Sequence, residues 1–349
     1  MEIAWSRLAL RLSRPFKTSR AVRRDKETIW VKISDRGFEG WGEVVPMDTY
    51  GQTLQSAERS LQEVVARGFA TPEALGGALD ELCATFQDQL ATVAGLDAAY
   101  CDWAGKAAGA PTRRLLGIYE SRIPLTSFSL GIEPDLNVLS ELVRQAAAFP
   151  ILKVKLGTDQ DEAILKTIRR EAPSATIRVD ANMAWTVERA LEILPFLAEI
   201  GVEFVEQPLP AADLEGLRRL TSEGILPIVA DESCVVPGDI PRVEGHVDGI
   251  NIKLSKCGGI RRAHAMIGMA REAGLRIMLG CMVESSLGIA AALQLAPLVD
   301  WLDLDGHLLL ADDPFSGIGG QNGVLQLPSS PGLGVFSTFF PVSERLIKP

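Results

Sequence analysis

Between residues 150 and 255, short apolar runs end one after another on an ionisable residue, at a nearly constant interval. Lys155 closes ILKVK, Asp180 closes TIRVD, Glu206 closes VEFVE, Asp231 closes PIVAD and Lys253 closes GINIK, in steps of 25, 26, 25 and 22 residues. The intervening segments, such as DEAILKTIRREA and GIRRAHAMIGMAREAG, carry apolar residues at helical spacing. This alternation predicts a parallel sheet built from βα units. With IPLTSFSL, LRIMLGC and DWLDLDG the runs number eight, which predicts an α/β fold of modified (β/α)8 type, a TIM barrel whose strand ends line one mouth. An open doubly wound sheet is the alternative, but no GxGxxG or GxxxxGK[ST] loop accompanies it.

The segment before Gly117 reads differently. IAWSRLALRL, ETIWVKI and GFEGWGEV, with the turn SDRG, predict antiparallel strands. Three segments from about Leu54 to Gly109 then carry helical periodicity. After Gly306 the pattern dissolves into glycine- and proline-rich sequence, and the apolar tail VFSTFFPVSERL is expected to return to the N-terminal unit.

A formal charge of −10 argues against nucleic acid or an anionic membrane as a general partner. No apolar run is long enough to span a bilayer, and the first residues show no signal peptide. Five cysteines, odd in number and without a CxxC pair, read as reduced thiols. The expected location is therefore cytoplasmic. A homo-oligomer is neither required nor excluded.

Three carboxylates, Asp180, Glu206 and Asp231, meeting at one barrel mouth would repel. Each alone could cap a helix in its βα loop; together they point to a hard divalent cation with oxygen-only ligation, Mg2+ rather than zinc. The three histidines, His246, His264 and His307, are far apart in the sequence. Lys153 and Lys155 lie two apart on one strand and so share a face. A lysine buried near another ammonium and a divalent cation has its neutral form favoured and can act as a base. Lys253 belongs four strands further round, on the opposite side of the mouth, while Lys256 is expected in the loop beyond. The bland reading of Lys155 and Lys253 is that both snorkel to solvent. The chemical reading is a metal flanked by two lysines, able to take a proton α to a metal-bound carboxylate from one face and return one to the other through an enediolate. That is the chemistry of a racemase or epimerase.

The set LKVKLG, RVDAN, VEQP, ADES and NIKLSKCGG, in this order, resembles the enolase superfamily and, within it, the muconate lactonizing enzyme subgroup. The resemblance implies an α+β capping domain over residues 1–118, completed by the tail 321–349, and a (β/α)7β barrel over 119–320. It makes Asp180, Glu206 and Asp231 the Mg2+ ligands and Lys155 and Lys253 the acid/base pair. It places Lys153 beside the substrate carboxylate, and Asn182 and Gln207 beside the metal acids.

The subgroup contains cycloisomerases, o-succinylbenzoate synthases, N-acylamino-acid racemases and dipeptide epimerases, so the fold does not choose the reaction. In its dipeptide epimerases, an Asp-x-Asp at the end of the eighth strand binds the dipeptide's free ammonium, and Asp303 and Asp305 of WLDLDG match it. Met282 and Glu284 of GCMVESS, and Ser127, fall where relatives approach substrate. In RPFKTSRAVRRDK, the loop expected to cover the substrate's variable side chain, Arg20 and Arg23 match arginine positions of L-Ala-D/L-Glu epimerases; a solvated charge run is the alternative reading. In PMDTYGQT, Gln52 replaces a common acid. The expectation is a Mg2+-dependent dipeptide epimerase acting in peptidoglycan peptide recycling. An N-acylamino-acid racemase, an o-succinylbenzoate synthase or a non-catalytic metal and ligand binding barrel are its rivals.

Overall fold

The computed structural model describes residues 1–337. Residues 338–349, which hold most of the tail expected to fold back, lie outside the described residues. The chain opens with a three-stranded antiparallel sheet: β1 (Glu2–Lys17), β2 (Val22–Asp35) and β3 (Phe38–Val44). Three helices follow, α1 (Leu54–Ala66), α2 (Pro72–Thr85) and α3 (Leu90–Ala107), then the single turn α4 (Thr112–Leu115). Thr53 and Thr71 accept hydrogen bonds from the Ser56 and Ala74 amides and so start α1 and α2. Gly40 and Gly42 let α3 lie directly on β3, because a Cβ at either would run into α3's carbonyls at Ala99 or Gly95.

The first two strands are longer than the sequence pattern indicates. RPFKTSRAVRRDK is no loop: its ends extend β1 and β2 as a ribbon, with Phe16 opposite Arg23, and only Thr18–Ala21 form the turn. The run of basic residues, without apolar alternation, obscures a strand whose polar residues face solvent. The ribbon lies across the barrel, where the Ile132 amide donates to Lys17 O (2.8 Å) and the Ala311 amide to Arg11 O (2.9 Å).

Eight parallel strands form the second sheet in chain order: β4 (Phe128–Leu130), β5 (Ile151–Lys155), β6 (Thr176–Asp180), β7 (Val202–Glu206), β8 (Ile228–Ala230), β9 (Gly249–Ile252), β10 (Arg276–Gly280) and β11 (Trp301–Asp303). A parallel bridge from Thr126 to Leu302 closes the ring. Helical segments connect the strands: α5 (Leu136–Gln145), α6 (Asp161–Glu171), α7 (Val187–Glu199), α8 (Leu214–Ser222), the single turns α9 (Ile240–Val243) and α10 (Leu254–Cys257), α11 (Ile260–Glu272) and α12 (Ser286–Leu293). Their apolar faces and the strands' outward residues build one continuous core between the layers. Inside the barrel, Phe204, Val229, Met278 and Trp301 fill the lower end.

Candidate active site

Strand register carries the site. Lys155, Asp180 and Glu206 are the last residues of β5, β6 and β7, and the pairing aligns Lys155 with Asp180 and Asp180 with Glu206. Asp231 and Lys253 directly follow β8 and β9, and Asp303 ends β11. In a closed ring of eight strands β5 and β9 stand opposite, so Lys155 and Lys253 rise from opposing sides of the mouth.

Lysines stand against the acids. Lys155 Nζ donates to Asp180 Oδ2 (2.5 Å) and Lys253 Nζ to Asp231 Oδ2 (2.7 Å). Lys153 Nζ lies 2.6 Å from Asp303 Oδ2, 2.6 Å from Glu206 Oε2 and 3.4 Å from Asp180 Oδ2. Burial disfavours the Lys153 ammonium, but Asp303, Glu206 and Asp180 outweigh it and hold its pKa well above the usual lysine value. Burial likewise opposes the Lys253 ammonium and is outweighed by Asp231 and Glu206, so its pKa is raised. Crowding by ammonium groups was expected to favour a neutral lysine; in this arrangement the carboxylates decide the balance.

The paired acids of WLDLDG are resolved by their neighbours. Ser127 Oγ donates to Asp303 Oδ1 (2.6 Å), and the Ser129 amide donates to Asp305 Oδ2 (2.6 Å). Burial pushes the Asp303 carboxyl up, but Lys153 and Lys155 more than offset it and bring it to about 2. Burial and the Asp303 charge push Asp305 up to about 7. One acid is thus neutralised by Lys153, and the other is poised to gain a cationic neighbour.

Two neighbours were missed in the sequence. Asn251 Nδ2 donates to Glu206 Oε1 (2.7 Å); it lies two residues before Lys253 on β9, so the strand period already placed both on one face. Lys256 corrects an expectation: it is not a loop residue but part of α10, fully buried, and its Nζ donates to Asp231 Oδ1 (2.5 Å) and to the carbonyls of Asp231 (2.7 Å) and Asn251 (3.0 Å). Burial raises the Asp231 carboxyl, yet Lys253 and Lys256 together hold it well below the usual range. Gln207 Oε1 accepts from the Asp231 and Ser233 amides (2.9 and 3.1 Å), and the Asn182 amide donates to Asp180 Oδ1 (2.9 Å). Asn182 and Gln207 both have positive φ (47° and 35°), so the chain turns sharply immediately beyond the acids.

Lys153, Lys155, Asn182, Asp231, Lys253, Asp303 and Asp305 line a cavity of about 190 Å3 that the N-terminal ribbon roofs, while Asp180 and Glu206 are fully buried and reach it through Lys155 and Lys153, their ion-pair partners. Arg20 reaches it, but its guanidinium is paired with Glu232 (2.5 Å), and Arg23 is paired with Asp48 (3.3 Å). Met282 lines the cavity. Glu284 does not: its Oε1 accepts from the Met282 amide (2.9 Å), and its other oxygen lies against Gly288, where Glu43 also sits. Ser127 approaches only through Asp303. Gln52 is turned inward, its Oε1 accepting from the Met47 amide (3.2 Å), and so holds its own turn.

Among the described residues, no three His, Cys, Asp or Glu side chains close on one ion in this arrangement; the ammoniums stand against the acids instead. The donor set nevertheless suits a hard divalent cation. Three carboxylates end adjacent strands without a nitrogen or sulfur ligand among them. Glu206 Oε2 is buried with no hydrogen-bond donor, its pairing to Lys153 being ionic only, and Glu232 Oε2 and Asn182 Oδ1 are also buried without donors. Burial and the Asp180 charge push Glu206 up to about 7, a cost that a cation would remove.

Fold and mouth together define a capped, eight-stranded α/β barrel with opposed lysines over a trio of acids. Residues 3–117 match the N-terminal domain of the mandelate racemase / muconate lactonizing enzymes, and residues 138–336 match the enolase C-terminal domain-like family. The chain belongs to this family of the enolase superfamily. It is 37% identical to an L-Ala-D/L-amino acid epimerase of Maribacter sp., across 96% of this chain and 99% of that one. It is 36% identical to an L-Ala-D/L-Glu epimerase of Bacteroides thetaiotaomicron, across 96% and 88%. Its fold superposes on a dipeptide epimerase of Enterococcus faecalis complexed with Mg and L-Leu-L-Tyr, with a TM-score of 0.88, 31% identity and 96% and 98% coverage.

Proposed function

We propose that the chain is a Mg2+-dependent dipeptide epimerase that inverts the Cα of the second residue, acting on L-Ala-D/L-Glu or a related dipeptide. The observation that carries this reading is one cavity lined both by the opposed lysines and by Asp303 and Asp305. The relatives of that activity support it. Residues 1–118, with the described part of the tail, residues 321–337, serve as the cap, and residues 119–320 as the catalytic barrel.

Asp180, Glu206 and Asp231 hold the metal. When bound, Mg2+ supplies positive charge against the negative charge that develops on the substrate carboxylate as the Cα proton leaves. Lys153 adds a fixed ammonium at the same place. Asp303 and Asp305 orient the dipeptide by its free ammonium, Asp305 ionising as that cation enters. Cα of the second residue then lies between Lys155 and Lys253: one lysine removes its proton, and the other delivers a proton to the opposite face. Asn251 and Lys256 keep Glu206 and Asp231 in place. Arg20 and Arg23 lie where an acidic side chain would enter, so Glu232 and Asp48 compete with the substrate for them.

The family's N-acylamino-acid racemases and o-succinylbenzoate synthases act on substrates without a free ammonium, and the Asp303–Asp305 pair favours the dipeptide. Free cysteines at all five positions suit a cytoplasmic setting, where cell-wall peptides are recycled. Incubation with Mg2+ and L-Ala-L-Glu should give the D-Glu epimer by chiral chromatography. Conversion of N-acyl amino acids but of no free dipeptide would overturn the reading.

A further inference from the structure

Beside the cavity of the lysines lies a second one of about 160 Å3, and Phe16, Ser129 and Leu309 are walls of both. Phe128 and Leu130 of β4, Ala146 beyond α5, and Leu308 give the second cavity an apolar lining. Phe128 is held by stacking on Phe149, with ring centroids 4.4 Å apart. Its charged walls are Arg14, which is tied to Gln145 (2.9 Å), Lys17 and Glu133.

Ser129 marks the junction: it is a wall of both cavities, and its amide donates to Asp305 Oδ2 (2.6 Å). An ammonium held by Asp303 and Asp305 is therefore held beside the wall that the two spaces share. The α-amino group and the side chain of a dipeptide's first residue share one carbon. With the second residue directed to Lys155 and Lys253, that side chain emerges at the junction.

We propose, building on the dipeptide reading, that the second cavity is the subsite for the side chain of the dipeptide's first residue and that it selects apolar side chains of leucine or phenylalanine size. A water takes about 30 Å3 of liquid, so the space accepts several carbon-sized groups, where the methyl of alanine would leave most of it unfilled. Because one methylene in an apolar pocket is worth about tenfold, L-Leu-L-Glu should show a kcat/KM at least ~10-fold above that of L-Ala-L-Glu.

The test fills the cavity from two sides with Leu142→Trp and Leu308→Phe, both outside the acid and lysine constellation. Either variant that retains the wild-type melting curve should lose the preference for L-Leu-L-Glu while converting L-Ala-L-Glu within about threefold of the wild-type rate. No first-residue preference in the wild type, an unchanged preference in both filled variants, or a change that follows the second residue instead would overturn the subsite. Titration calorimetry with Mg2+ separates the subsite from the epimerase activity. L-Leu-L-Glu binding more tightly than L-Ala-L-Glu without turnover sinks the epimerase reading and leaves the subsite standing; turnover of both without preference does the reverse.

Discussion

Lys153 Nζ lies 2.6 Å from Asp303 Oδ2, although 150 residues separate the two in the chain. The closure of β11 onto the segment before β4 brings them together. It also explains why Asp303 and Asp305 coexist in a buried run: one is matched by a lysine, and the other is held near neutrality until a cation arrives.

That division predicts unequal effects. Asp305→Asn should lower kcat/KM for a free dipeptide by roughly 100-fold, the scale of one lost buried charge pair. Asp303→Asn should also weaken folding, because it leaves Lys153 with fewer counter-charges. Steady-state kinetics and urea unfolding of both variants check the pair; equal activity losses with equal stabilities would contradict it.

Lys256 is the buried clamp on Asp231. Lys256→Met removes one side of an ion pair and strands the carbonyls of Asp231, Cys234 and Asn251, so it should cost ~3–5 kcal/mol of stability. Urea midpoints read this directly. A loss under ~1 kcal/mol would mean that Lys253 alone suffices to hold Asp231.

Metal binding should stabilise the folded chain. Mg2+ at about one hundred times its Kd adds ~2.7 kcal/mol, visible as a rise in melting temperature that EDTA reverses. Asp180→Asn and Glu206→Gln should abolish the rise. A rise of the same size in those variants would place the cation elsewhere.

Across the seam between the N-terminal sheet and the barrel, Glu43 accepts from Ser285 Oγ (2.5 Å) and from the Ser285 and Gly288 amides (3.1 and 3.2 Å). Burial and the Glu43 charge push Glu284 up to about 8, and burial pushes Glu43 up to about 7. Both groups bind protons more tightly folded than unfolded, so their stabilisation is complete below about pH 4.5, the unfolded value, and is lost as pH rises through 7 to 8. Glu284→Gln should flatten the fall of stability across that window by up to ~1.4 kcal/mol per pH unit. Parallel urea midpoint curves for wild type and variant would contradict this.

The barrel and its acids were legible because each strand's last residue repeats at a βα interval, and a residue at a strand end has one place to go. Asp180, Glu206 and Asp231 needed no knowledge of distant contacts. Lys256 was misread because one helical turn folds it back under the strand end, a reversal no periodicity signals. Glu284 and Arg20 were placed by their segments, yet their directions depend on Glu43 and Glu232, each more than 200 residues away. The ribbon from Arg14 to Lys26 looked like a loop since its side chains face water and lack alternation. Pairing energy, not burial, makes it a strand.

In the proposed reaction, two lysines on opposite strands exchange protons with the two faces of one carbon. Deuterium incorporation at Cα of the second residue, followed by NMR for both epimers of L-Ala-Glu in D2O with Mg2+, tests it most directly. Wild type should exchange both epimers, while Lys155→Ala and Lys253→Ala should each abolish epimerisation and retain exchange in at most one epimer, a different one for each variant. Exchange of both epimers in either variant, or of neither in the wild type, would contradict the account.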